Sequence, residues 1–348
     1  MARLLFITQK MDKDDDLLGV YHQWIAKLAE KVEKISVICL YRGRLELPAN
    51  VNVFSLGKEN GVSRLKYLFN FYRYLWILRR DYNTVFVHMN PEYVILGAKF
   101  WKLFGKKIFF WYNHPLGGIR ARFAIALSNI VFHTSPLAFA ARYKKARQMP
   151  VGIDTDLFHR LTVTSKKPNS ILYVGRISPI KKLELLLDAA NILLTENLDF
   201  SLTIAGEPSK PSEIAYAEKI KNKAQSLMAQ GRIEFIRSVP NHKTPELYNH
   251  HELSVNMTPS GSFDKTIIES MACETPVITS NQALRDVLPK ELIFEEGKAS
   301  ELANKIKYLL KLDPSEREKI GRKIREIVVQ NHCLDFLIKR IIYLFGRN

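Results

Sequence analysis

Thr258-Pro259-Ser260-Gly261-Ser262-Phe263-Asp264-Lys265-Thr266-Ile267-Ile268-Glu269-Ser270-Met271-Ala272-Cys273-Glu274-Thr275-Pro276-Val277-Ile278 carries the change of period that decides the fold. The apolar run Leu253–Met257 ends in a turn of small residues, helical spacing starts near Asp264, and a short strand pattern, Pro276–Thr279, follows. Free N–H groups at such a helix start form an anion site, and Glu269, one to two turns in, is placed to accept hydrogen bonds from a ribose diol. The same residues also fit an ordinary loop and a helix with a surface glutamate.

The alternation extends in both directions. Strand patterns fall at Arg3–Thr8, Ile35–Leu40, Val51–Leu56, Thr84–His88, Lys107–Tyr112 and Ile130–His133. A second series reads Ser170–Val174, Ser201–Ala205, Arg232–Ile236, Leu253–Met257, Pro276–Thr279 and Leu292–Phe294. Helical stretches between them, such as 19–31, 63–80, 91–104 and 117–128, predict parallel sheets covered on both faces. The two series part in the polar stretch Pro150–Pro168, and 315–345 reads as helix alone. An α/β chain of two doubly wound domains facing a cleft is expected, with residues 1–155, 156–330 and a C-terminal helix, 331–348, packing back on the first domain.

At 348 residues with 47% hydrophobic and 25% charged side chains, the chain is globular in composition. Cys39, Cys273 and Cys333 are far apart and sit in apolar runs, which excludes a disulfide framework or a zinc spacing. The most apolar stretches are broken by charges, so no spanning helix is predicted, and the first residues do not read as a signal peptide. A cytoplasmic location follows as an expectation. The net charge of +17 is uneven: residues 1–150 hold 24 Lys/Arg against 10 Asp/Glu, a balance of +14. Between Glu92 and Asp154 there is no acidic residue. An anionic partner of the first half is implied. Aromatic residues interleave with these cations, from Tyr67 to Trp76 and again at Phe100, Trp101 and Phe104. That pattern fits a helix face lying in a headgroup layer, or equally core aromatics beneath a solvated cationic face.

A second chemical motif opens the second series. Val174-Gly175-Arg176-Ile177-Ser178-Pro179-Ile180-Lys181 follows a strand, so Arg176 and Lys181 stand where two cations can hold a diphosphate. A structural Arg beside a helix-capping Ser-Pro is the competing reading. His114, just after Lys107–Tyr112, lies at a strand's carboxyl end, where ligands bind. His88, His133, His250 and His251 read as structural. Asp14-Asp15-Asp16 and Asp154/Asp156 sit in polar loops, and no metal site is assigned.

Together with Gly152-Ile153-Asp154-Thr155-Asp156-Leu157-Phe158, these segments resemble the retaining glycosyltransferases of family 4, of the GT-B fold. The resemblance spans essentially the whole chain and is specific in its second half. It implies that Arg176 and Lys181 bind the donor diphosphate, and that the loop Ser262, Phe263, Asp264 with the amides of Lys265 and Thr266 meets the distal phosphate and sugar. It further implies that Glu269 holds the ribose and that Arg237, Ser238 and Val239 lie against the base. Gly19 and Gly206 would permit close approach, and His114 would stand beside the donor sugar. The function implied is metal-independent transfer of a hexosyl group, UDP being the commonest donor nucleotide of that family. The acceptor would be a glycan or lipid-linked molecule at an anionic membrane face. Neither a cofactor nor a nucleic-acid partner is expected, since nucleic-acid binding leaves Arg176, Lys181 and Glu269 unexplained. Two departures stand out. The family's first glutamate is Gly261, and the usual glycine after Phe263 is Asp264. They leave a second reading open, a catalytically weak nucleotide-sugar binder or partner subunit.

Overall fold

The computed structural model describes residues 2–162, 165–258, 261 and 263–347. The chain forms two compact units, Met1–Gly152 with Leu334–Asn348, and Ile153–Cys333.

The first unit holds seven strands: β1 (Arg3–Met11), β2 (Lys34–Arg42), β3 (Val51–Ser55), β4 (Thr84–His88), β5 (Lys107–Trp111), β6 (Ile130–His133) and β7 (Ala146–Gln148), in the order β3-β2-β1-β4-β5-β6-β7. All neighbours are parallel, with Leu5 beside Ser36 on one side and Val85 on the other. Continuous apolar runs form β1, β2, β4, β5 and β6, whose residues are mostly buried because both faces are covered. Leu4 and Phe6 point into a layer with α1 (Val20–Ala29) and α11 (Leu334–Arg347), which supply Trp24, Leu337 and Ile341. Leu5 and Ile7 point the other way, onto α2 (Arg64–Ile77), α3 (Pro91–Leu103) and α4 (Ile119–Leu127), which supply Phe71, Trp101 and Ile125. Ser63 caps α2 by accepting from the Lys66 N–H, and Pro91 opens α3, where its missing N–H is not needed.

The second unit repeats the plan with β8 (Ser170–Val174), β9 (Ser201–Ala205), β10 (Ile233–Ile236), β11 (Leu253–Asn256) and β12 (Val277–Thr279), in the order β10-β9-β8-β11-β12 and parallel throughout. Its helices are α5 (Leu183–Thr195), α6 (Pro211–Ala229), α7 (Thr244–His250), α8 (Lys265–Ala272), α9 (Ala299–Lys311) and α10 (Pro314–Asn331). In each sheet the chain winds outward from one strand, then returns to that strand's other side. The switch lies between β1 and β4 in the first sheet and between β8 and β11 in the second. Ligands of doubly wound sheets bind beyond the carboxyl ends of such a pair.

Three expectations need correction. Leu292–Phe294 is not a strand; Lys290–Leu292 form a 3₁₀ turn, and a single bridge joins Ile293 to Thr279. The strand β7 was not foreseen, because its three residues are mostly exposed and its alternation is too short to register. The helical tail 315–345 breaks at His332 and Cys333, where residue 333 pairs with Ile153. No helix among the described residues is long and apolar enough to cross a membrane.

Candidate functional site

Parallel pairing brings the loops after β8 and β11 side by side. At the end of β11, the Asn256 amide donates to the Asp264 carboxylate at 3.1 Å and to Thr266 Oγ1 at 3.0 Å. Asp264 is the N-cap of α8, accepting from the Thr266 N–H at 3.4 Å and from the Thr266 hydroxyl at 3.3 Å. Thr258 Oγ1 donates to the same carboxylate at 2.8 Å. Across the switch point, Lys181 Nζ donates to Thr258 Oγ1 at 3.0 Å and pairs directly with Asp264. Burial pushes the Asp264 carboxyl up, but the Lys181 charge and the converging donors outweigh it and hold it well below the usual carboxylate range.

Arg176, on the loop after β8, lies 3.8 Å from a Glu213 oxygen, and its Nη1 donates to Ser209 Oγ at 3.4 Å. Glu213 also accepts from the Ser209 N–H at 2.9 Å. The neighbouring Gly206 has φ of +151°, and a Cβ there would stand 1.9 Å from the Gly175 carbonyl oxygen, so no larger residue fits the approach of the two loops. Ser238 donates through both its N–H, at 3.3 Å, and its hydroxyl, at 3.2 Å, to Glu207, while Arg237 is exposed beside it and Val239 half-buried.

Glu269 is 2% exposed. Asn241 donates to it at 2.9 Å and the Tyr248 hydroxyl at 3.3 Å. Burial raises its carboxyl to about 7 against these bonds and the nearby Lys265 charge. Burial also brings the Lys265 ammonium down to about 7, opposed by Glu269 and Asp264. Phe263 is buried, its ring 5.5 Å from that of His332. Gly261, where the resembled family carries a glutamate, has φ of +139°, a conformation that disfavours any side chain. Ser262 lies outside the described residues.

The structure thus brings Lys181, Asp264 and Thr266 into one network, with Thr258 and Asn256. It gives Arg176, Ser238 and Glu269 separate carboxylate or amide partners in the same unit. Gly19 and His114 belong to the first unit. Gly19 precedes α1 with an ordinary helical φ of −56°, and His114 is exposed, its Nδ1 3.0 Å from the Leu116 N–H. Sequence reasoning missed Glu207, Glu213, Asn241 and Tyr248, because each meets its partner through the fold and not through a local spacing. It also missed Met89, a non-glycine residue with φ of +62° at the end of β4, where the first sheet switches direction.

The profile described as glycosyl transferases group 1 matches residues 154–327, half of the chain, and the protein belongs to that family. D-inositol 3-phosphate glycosyltransferase of Rhodococcus opacus is 33% identical over 113 residues, 32% of this chain and 25% of that protein. Mannosylfructose-phosphate synthase of Agrobacterium fabrum is 22% identical over 153 residues, 41% of this chain and 34% of that protein. The chain thus spans about a quarter to a third of the length of these curated relatives. Among solved structures, HepE of Anabaena, in complex with UDP and glucose, superposes with a TM-score of 0.79 at 15% identity, covering 99% of this chain and 100% of that one. Sucrose-phosphate synthase of Thermosynechococcus elongatus gives 0.80 at 18% identity, covering 99% and 98%. At such identities the likeness establishes the fold, GT-B, with two Rossmann-like parallel-sheet domains.

Proposed function

We propose that the protein is an anomer-retaining glycosyltransferase. It moves a hexosyl group from a nucleotide sugar, with UDP the first candidate base, to a glycan or lipid-linked acceptor at an anionic membrane face. The observation that carries the reading is the Lys181–Thr258–Asp264–Thr266 network at the β8/β11 switch point, in a chain of this family. Lys181 and Arg176 neutralise the diphosphate and stabilise it as it leaves, Lys265 and Thr266 offer N–H groups to the distal phosphate, and Glu269 takes the ribose. The bond from the anomeric carbon to the phosphate oxygen breaks on the face where the acceptor oxygen bonds, and the acceptor's proton passes to the departing phosphate. Cations do the work that a metal ion does in other transferases.

A thermal-shift panel of UDP-, GDP-, ADP- and dTDP-sugars at about 1 mM tests this reading. A donor with a dissociation constant near 10 μM stabilises the protein by roughly 2.7 kcal/mol. One nucleotide is expected to act, and Glu269→Ala to abolish its effect. A shift that survives in Glu269→Ala would contradict the site. The second reading, a weak donor binder, draws support from the occupation of Lys181 by Asp264; it predicts the same shift without turnover.

A further inference from the structure

Lys166, Glu252 and Pro276 stand just before β8, β11 and β12, and they line a cavity of about 250 Å³ in the second unit. The cavity thus lies at the amino ends of these strands, whereas Lys181 and Asp264 lie beyond the carboxyl ends. Arg160, Glu274, Arg317 and Glu318 complete its charged walls. Its volume is below the roughly 300 Å³ at which sites for drug-sized ligands begin, so it suits a small ion or a small molecule that carries one.

Each carboxylate of the lining is held by a guanidinium. Glu252 pairs with Arg317 at 2.5 Å, and Glu318 with Arg160 at 2.7 Å and Arg322 at 3.6 Å. Glu274 lies 3.7 Å from Arg160 and 3.9 Å from Arg325. Lys166 is different. Half-buried, it donates to the Thr275 hydroxyl at 3.2 Å, and among the described residues no carboxylate pairs with it. Five cations thus meet three carboxylates, a surplus of two positive charges. Burial, with the Arg160 and Arg317 charges, brings the Lys166 ammonium down to about 8, against Cys273 and Glu252. An ammonium drawn out of water beside two guanidiniums is costly until an anion joins it.

We infer that this cavity binds a phosphate group, free or carried by a small molecule, between Lys166 and Arg160. The ammonium supplies a point charge, and Arg160, which gives one N–H group to Glu318, has others to offer a phosphate oxygen. A surplus of two charges matches a phosphate dianion better than a singly charged carboxylate. The site lies at the other end of the sheet from Arg176 and Lys181, so it does not depend on the transferase reading.

Inorganic phosphate, titrated calorimetrically into the full chain at pH 8, is the first probe, and glycerol 3-phosphate is the second. Binding is expected to weaken at least tenfold in Lys166→Met; phosphate held elsewhere is common to both proteins and drops out of the comparison. Lys166→Arg keeps the charge and is expected to bind. Titrations in two buffers of different ionisation enthalpy count protons. The wild-type chain is expected to take up roughly half a proton more than Lys166→Arg, because the bound anion restores the ammonium. Tighter binding of glycerol 3-phosphate would support a phosphate ester as the ligand, and tighter binding of inorganic phosphate the free ion. No binding to the wild-type chain at about 10 mM probe, equal binding by Lys166→Met, or equal proton uptake by Lys166→Arg would each overturn the assignment.

Discussion

Lys181 and Asp264, 83 positions apart in sequence, form an ion pair at the point where β8 and β11 part, and the acid of that pair is also the cap of α8. The ammonium and helix N-terminus that suit a donor phosphate are thus already engaged by a carboxylate of the chain itself. A phosphate entering this site must share Lys181 with Asp264 or displace it.

Asp264→Asn is expected to tighten binding of a nucleoside diphosphate on the order of tenfold, since one negative charge beside the ligand is removed. The same change breaks a largely buried pair and is expected to cost about 3 kcal/mol of stability. Calorimetric titration and denaturation check the two effects separately. Weaker nucleotide binding would show that Asp264 helps to hold the donor, and unchanged binding that it does not compete for Lys181.

Arg176→Ala is expected to lower turnover about a hundredfold or more, as for loss of one electrostatic stabiliser of a leaving group. Steady-state rates with the donor found in the panel provide the test. A variant with wild-type turnover would leave Arg176 as only the partner of Glu213.

Glu269 gives a signed pH dependence. Its folded carboxyl titrates near 7, above the ordinary value of 4.5, because burial disfavours the charge. The folded state therefore binds the proton more tightly, and this group's contribution to stability falls as pH rises from about 4.5 to about 7. The fall is at most about 3 kcal/mol. His332, lowered to about 4 by burial, contributes the opposite slope over nearly the same window, so the effect is read as a difference. Glu269→Gln is expected to gain stability relative to wild type between pH 5 and about 7, and parallel melting curves across that range would refute the assignment.

Gly206→Ala is expected to destabilise the second unit by about 3 kcal/mol. The added carbon meets backbone that cannot swing aside, and φ of +151° is itself unfavourable for alanine. An unchanged denaturation midpoint would mean that the loops after β8 and β9 separate easily.

Membrane contact has its own test. Phe69, Trp76 and Leu103 are exposed on α2 and α3 among cations such as Lys66 and Arg79, whose charges lie over the Phe69 and Trp76 rings. Co-sedimentation with vesicles is expected to require anionic lipid and to fall several-fold in Trp76→Ala/Leu103→Ala. Equal binding to neutral vesicles would remove the charge argument.

What the sequence made legible was local. Runs of four to six residues marked eleven of the twelve strands among the described residues, most of them buried on both faces and so leaving an unbroken apolar signature. Gly175, Arg176, Lys181 and the 258–278 segment were visible because their spacing lies along one stretch of chain. The partners that set their chemistry were not. Asn241 and Tyr248 reach Glu269 across 28 and 21 positions, and nothing near either residue signals it. The pairing of Lys181 with Asp264 likewise needed the two loops to be adjacent.

The helix α11 gives the first unit an unusual history. Its Leu337, Ile341 and Phe345 share a core with Trp24, Phe109 and Phe132, and Phe345 lies 4.7 Å from the Phe109 ring. During synthesis the face that α1 covers in part lacks Leu337, Ile341 and Phe345 until residue 345 has been made, while the unit Ile153–Cys333 has all of its residues sooner. The part made first is the part finished last.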